Sequence, residues 1–189
     1  GVAQRLAELG PTKRPYDVTL PGKPMTLGHL HPLTIFSQRV REIWRSFGYS
    51  FHEGPELEDQ WFNFDGLNVP KDHPARDVQD TFFITDHPDL VLRTHSSTVQ
   101  LRVPLTLHVK PPFRFIEIGK VYRHEATDAT HESMFFQCDG VLVDRQVSIA
   151  QLVTTLQEFL HQLYPVRKIR VRPSFFPFVE PGLEVDVWW

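Results

Sequence analysis

From residue 32 to residue 47 apolar side chains recur at three- and four-residue spacing: Leu33, Phe36, Val40, Ile43, Trp44 and Phe47. Arg39, Arg41, Glu42 and Arg45 fall largely on the other side, which predicts an amphipathic helix. Pro32 suits its first turn, where no amide donor is needed, and Gly48 suits its C-terminal cap. A second helix is predicted after Ser148, an N-cap residue, with Ile149, Leu152, Val153, Leu156, Phe159, Leu160 and Leu163 on one face. Elsewhere the pattern is that of strands, over residues 49–52, 81–85, 91–94, 113–125, 134–143, 168–172 and 183–189. A short helix should start near Ser96 or Ser97 and reach about Leu101. Residues 56–80 hold turn formers around Trp61, Phe62 and Phe64 and read as a long irregular loop. Strand pairs beside two well-formed helices indicate an α+β fold with a mainly antiparallel sheet flanked by helices.

Residues 1–30 are punctuated by Pro and Gly, with an extended patch over 16–20. They read as an N-terminal extension or linker to one domain over 31–189. At 189 residues the chain can bury a sizeable core. No apolar run is long enough to span a bilayer and no signal-peptide pattern opens the chain. The single cysteine, Cys138, excludes an internal disulfide and fits a reducing, cytoplasmic setting. With a net charge of −3 the chain is not a basic nucleic-acid-binding module, so attraction to RNA would have to come from a local patch or another chain. The sequence begins with Gly and stops at Trp189 inside a predicted strand, so we expect a fragment of a longer protein.

The candidate chemistry lies around residue 130. If 113–125 and 134–143 form a hairpin, alternation puts Arg123 and Glu125 on one face of the first strand. Phe135, Gln137 and Asp139 then share one face of the second. Such a face presents a guanidinium, two carboxylates, an amide and a ring. Burying that set without a ligand would cost several kcal/mol unless each group found a partner, and a site for a zwitterion and a nucleotide would supply partners. On spacing alone, a solvated face with an ordinary Arg–Glu pair explains the pattern equally well.

The string GKVYRHEATDATHESMFFQCDG (119–140) resembles motif 2 of class II aminoacyl-tRNA synthetases in its phenylalanine-specific form. Residues 30–77 resemble the motif 1 helix and strand of that family and the aromatic loop after them. LRTHSSTVQ (92–100) and RPSFFPFVEPG (172–182) are similar to the phenylalanine-specific α subunits. Four matches in the family's order cover most of residues 17–189, so the resemblance is specific. It implies a class II synthetase core that activates L-phenylalanine with ATP and magnesium and transfers it to tRNA(Phe).

By that resemblance Arg123 holds the α-phosphate and the amino-acid carboxylate, and Glu125 contacts the substrate end of the site. His131 lies near the ATP phosphates and Phe135 stacks on adenine. Gln137 and Asp139 hold the α-ammonium, although the family more usually carries glutamate at the place of Asp139. His95, Ser97 and Gln100 line the amino-acid site, Trp61 closes it, and Phe176 and Phe178 flank the substrate ring. Without the resemblance, His95 and Ser97 read as a structural histidine and a helix cap, and the aromatics as core. An apolar pocket rejects tyrosine by only about a hundredfold, so an editing site is expected elsewhere, on the β subunit. The histidines form no metal-binding pattern.

The implied reaction has two steps: attack of the phenylalanine carboxylate on the α-phosphate of ATP, then acyl transfer to the terminal ribose of the tRNA. Neither needs a protein nucleophile, so positioning and charge stabilisation would carry it. Two rivals are a catalytically silent amino-acid- or nucleotide-binding module and a related synthetase with another substrate. A third, Gly-rich motif is not found before Trp189, so little or no adenylate synthesis is expected from this polypeptide alone. The resemblance also implies an α2β2 heterotetramer with the motif 1 helix at a subunit interface, so that Leu33, Phe36 and Val40 face another subunit as well as a core.

Overall fold

The computed structural model describes residues 19–22, 25–77, 80–124 and 128–188. The chain divides into two units, Gly1–His31 and Pro32–Trp189. In the first, Thr19 lies in a turn and Leu20 in a bend, with no regular structure in the other described residues. Residues 16–18 of the expected extended patch lie outside the described residues.

The second unit opens with α1 (Pro32–Ser46), which buries Val40, Ile43 and Trp44. Its end is a Schellman motif: Tyr49 N–H donates to Trp44 O at 3.1 Å, and Gly48 N–H to Arg45 O at 2.9 Å. Gly48 supplies the required left-handed backbone at φ 79°. The apolar contact that accompanies the motif is Tyr49 against Trp44, ring centroids 4.8 Å apart. Leu33 and Phe36, earlier on the same stripe, are exposed.

Strand β1 (Ser50–Phe51) runs parallel to β5 (Phe113–Tyr122), and β5 pairs antiparallel with β6 (Met134–Val143) over ten residues. Regular pairing stops at Tyr122 rather than at residue 125. Arg123 N–H still donates to Ser133 O at 2.9 Å, but His124 N–H turns away to Asp80 O. One face of this ribbon, through Ile116 and Ile118, packs with Val40 and Trp44 of α1 and with Leu156, Phe159 and Leu163 of α4 (Ile149–Leu163). Ser148 caps α4 in a capping box with Gln151. The other face buries Phe115 against Val99 and Val103 of α3 (Val99–Thr106).

That helix outruns its expected end near Leu101. Burial of Val99 and Val103, four residues apart, outweighs the single backbone bond that Pro104 forfeits. The described residues of 56–80 also depart from an irregular loop. Strand β2 (Leu57–Asp59) leads into α2 (Gln60–Asn63), whose N-cap Asp59 accepts from Trp61 N–H at 2.7 Å. Short 3-10 turns follow at Asp65–Leu67 and Pro74–Arg76. Arg76 ties them together, donating to Asp65 Oδ1, Val69 O and Pro70 O above the buried Phe64 ring. Elements this short are fixed by caps and one arginine, so periodicity cannot reveal them. Strands β3 (Phe83–Ile84) and β4 (His87–Leu92) form a second small sheet in the order β2-β4-β3. β4 begins four residues earlier than expected because Pro88 lies beyond its last pairing with β2, Asp59 to Leu90, where it breaks no bond in that ladder. A last hairpin joins β7 (Ile169–Pro173) to β8 (Leu183–Val187).

Candidate active site

The register of β5 and β6 builds the site face. Opposed pairs are Val121 with Phe135, Gly119 with Gln137, and Glu117 with Asp139, and opposed residues point to the same side. Phe135, Gln137 and Asp139 therefore do share a face, as alternation requires. Arg123, just past the end of β5, lies with its guanidinium 5.0 Å from the centroid of the Phe135 ring. Its Nε donates to Thr94 O at 3.4 Å. Glu125, expected beside it, lies outside the described residues.

The segment between β4 and α3 is laid across this face and fastened residue by residue. Thr94 exchanges two hydrogen bonds with the buried Asn63 side chain, at 3.1 and 3.2 Å. Ser96 N–H donates to Gln137 Oε1 at 3.0 Å. The carboxylate of Asp139 accepts from Ser97 Oγ on one oxygen and from Gln100 Nε2, at 3.0 Å, on the other. His95, Ser97, Gln100, Gln137 and Asp139 are thus brought together with Arg123 and Phe135.

His95 Nε2 lies 2.9 Å from Asn63 O. A carbonyl can only accept, so Nε2 carries the proton and Nδ1 presents a lone pair, buried and without a hydrogen-bond partner among the described residues. Burial pushes the His95 pKa below its ordinary value, and Arg123 and Arg93 add to this. The Asn63 carbonyl and Asp139 oppose the shift without reversing it. The ring is neutral at neutral pH.

Two ion pairs with buried carboxylates, not singled out from the sequence, flank this arrangement. Arg93, 2% exposed, pairs with Glu117 and donates from Nε to Lys120 O at 2.8 Å. Glu117 Oε1 also accepts from Gly54 N–H at 3.0 Å. A Cβ on Gly119 would collide with Arg93 Nη2, so the guanidinium lies flat on the strand only because residue 119 is glycine. Farther out, the fully buried Glu58 takes both Nε and Nη2 of Arg102, whose guanidinium also lies over the Phe62 ring. The signal for the first pair was available: Glu117 sits where alternation puts core residues, two positions from a glycine.

Other expected residues stand apart. His131 lies in an exposed turn, its ring and backbone N–H bound to Asp128. Those bonds, with the Thr130 N–H foremost, hold the Asp128 carboxyl below its usual range. Trp61 is about half exposed and packs edge-on against Phe62 and over Gly66. Phe176 is half-buried against Gly182, and Phe178 is exposed, edge-to-face with His73 at 5.6 Å. The ring contact of Phe178 is to His73, and Phe176 bridges to Val179, so neither makes a ring contact with Phe135 among the described residues. A cavity of about 650 Å³ lies on the opposite side of the sheet, lined by Trp44, Ile116, Cys138, Leu156, Phe159 and other mostly apolar groups. No charged group lines it among the described residues. Cys138 lines it, exposed by area to this open volume yet surrounded closely enough that burial, then Asp139, pushes its thiol up to about 12. Among the described residues no three His, Cys, Asp or Glu side chains cluster as for a metal, and no helix is long and apolar enough to cross a membrane.

The mixed α+β core, helices packed on a β5–β6 antiparallel ribbon, is a fold also seen in solved tRNA synthetases. The structure of pyrrolysyl-tRNA synthetase from Desulfitobacterium hafniense superposes with a TM-score of 0.67 over 87% of this chain and 57% of that one, at 18% identity. Residues 15–189 match the family described as tRNA synthetases class II core domain (F), and the chain belongs to that family. Its relatives include proteins named phenylalanine–tRNA ligase alpha subunit. That of Christiangramia forsetii is 47% identical over 173 residues, 92% of this chain and 50% of its own length. That of Moorella thermoacetica is 48% identical over 172 residues, 90% of this chain and 50% of its own. One from Dehalococcoides mccartyi is 50% identical over 178 residues, 90% of this chain and 51% of its own. The chain spans about half the length of these curated relatives.

Proposed function

We propose that this chain carries the amino-acid pocket and part of the ATP site of a cytoplasmic phenylalanine–tRNA ligase α subunit. The observation that carries the reading is the fastening of Ser96, Ser97 and Gln100 onto Gln137 and Asp139, beside Arg123 over Phe135. This face sets a cation and a carboxylate on one ribbon, the complement of a zwitterion. Asp139 takes the substrate ammonium and Arg123 its carboxylate, and Arg123 then follows the charge onto the α-phosphate as adenylate forms. The neutral His95 lends an acceptor at Nδ1. An arginine beside an aromatic ring suits a phosphate next to a base, so Phe135 is assigned to adenine. Glu125 is assigned to the substrate end, His131 to the outer phosphates, and Trp61, Phe176 and Phe178 to the substrate ring.

Magnesium would arrive with ATP, held chiefly by phosphate oxygens, and would neutralise the pyrophosphate. The protein groups named here bind and orient, and the reaction draws its rate from their preorganised charge. The partners in this reading are tRNA(Phe) and a β subunit, in an α2β2 assembly, and the core is residues 31–189 with residues 1–30 as its extension.

Thermal-shift titration with L-phenylalanine, L-tyrosine and a non-hydrolysable phenylalanyl-adenylate analogue tests the reading. Stabilisation by phenylalanine and, more strongly, by the analogue is expected. No response to any of the three overturns it, and stabilisation by a different amino acid alone would transfer the site to another substrate.

A further inference from the structure

Glu117 and Asp139 stand directly opposite each other across β5 and β6. Opposed residues place their Cβ atoms about 5 Å apart, and like charges so placed repel. Both line a narrow gap, together with Ser96, Gln100 and Phe115, that is too tight to admit a water molecule. Glu117 is 2% exposed, and its Oε2 has no hydrogen-bond partner among the described residues. The two carboxylates coexist for different reasons. Glu117 has Arg93 against it, equally buried. Asp139 has only the neutral donors Ser97 and Gln100 and forms no ion pair among the described residues.

We propose that Arg93 is a positioning residue for amino-acid binding: by neutralising Glu117 it cancels the like charge that faces Asp139 across the ribbon and leaves the Asp139 side chain available to the substrate ammonium. The inference rests on the assignment of Asp139 to that ammonium. Arg93 has a second effect through the backbone. Its N–H donates to Glu56 O at 3.0 Å and its carbonyl accepts from Tyr122 N–H at 2.9 Å, which pins the segment carrying Ser96 and Ser97 to the ribbon. The other groups near Asp139 do not substitute for it. Cys138, its chain neighbour, is a protonated thiol. His95 is neutral, and Arg123 is engaged at the far end of the face with Thr94 O and the Phe135 ring.

The test is the pH dependence of L-phenylalanine binding by calorimetry, with folding checked by circular dichroism. Arg93→Met leaves Glu117 uncompensated and should move the acid limb of binding upward by about one to two pH units, a tenfold or greater loss at the wild-type limb. Glu117→Gln leaves Arg93 in excess and should move it downward. The Arg93→Met/Glu117→Gln double variant should return close to wild type. Shifts of opposite sign are not produced by loosening the fold. Limbs unchanged in the folded variants, or moved in one direction in all three, overturn the inference. If Arg93→Met does not fold, Glu117→Gln decides alone: a downward shift supports it and an unmoved limb overturns it. A wild-type chain that binds no phenylalanine at any pH overturns the phenylalanine reading and this inference with it.

Discussion

The backbone N–H of Ser96 donates to the side-chain oxygen of Gln137 at 3.0 Å, so the start of a helical segment is tied to the middle of a strand 41 residues later. Ser96 is fully buried, and its amide has nowhere else to turn. Gln137→Leu should therefore cost about 1–2 kcal/mol by stranding that donor, and abolish phenylalanine-induced stabilisation. Gln137→Asn keeps an amide acceptor without adding charge to the Asp139 face and should fall between wild type and Gln137→Leu in denaturant unfolding, which separates loss of the site from loss of the fold.

Gly119→Ala should destabilise the protein by about 2–3 kcal/mol. The added methyl meets the Arg93 guanidinium, which cannot retreat without breaking its bonds to Glu117 and Lys120 O. Urea midpoints measure this, and a Gly119→Ala protein as stable as wild type would show that Arg93 is not held as described.

Arg102→Ala strands the buried Glu58 carboxylate, at a cost of about 3 kcal/mol, which lowers the melting temperature by about 6–12 °C. Glu58→Met/Arg102→Met removes both charges and should melt above Arg102→Ala. Calorimetric melting of the two variants side by side checks the order.

Stability should fall on the acid side of neutrality through His95. Its pKa is lowered on folding, so below about 6.5 the unfolded chain binds a proton that the folded chain resists. That contribution is complete above the unfolded value and is lost as pH falls through the folded one. His95→Gln, whose Nε2 can still donate to Asn63 O, should flatten the acid limb of a stability-against-pH curve. A curve as steep as wild type would assign the acid loss to other groups.

Much of the architecture was legible because its longest elements are periodic. The run 134–143 and the two helical stripes appear at their expected places, the helices with their expected caps: Gly48 in the left-handed region and Ser148 bonded to Gln151. The sharing of a face by Phe135, Gln137 and Asp139 followed from alternation alone. What escaped was held by side chains rather than by period. The turns of residues 56–80 depend on Asp59, His73 and Arg76, none of which marks a helix or strand. For the Arg93–Glu117 pair, the place of Glu117 on an apolar strand face marked one partner, but the other lies 24 residues away and carries no mark of its own. Resemblance gave His95, Ser97 and Gln100 their candidate roles, but the bonds that join Ser97 and Gln100 to Asp139 belong to the fold.

The claim that the ribbon face under residues 94–100 is the ligand site meets its most direct test in a crystal structure of the chain with the phenylalanyl-adenylate analogue. The ligand's ammonium is expected at Asp139 and its phosphate at Arg123. A ligand found instead in the apolar cavity between β6 and α4, with Arg123 and Asp139 untouched, would contradict it.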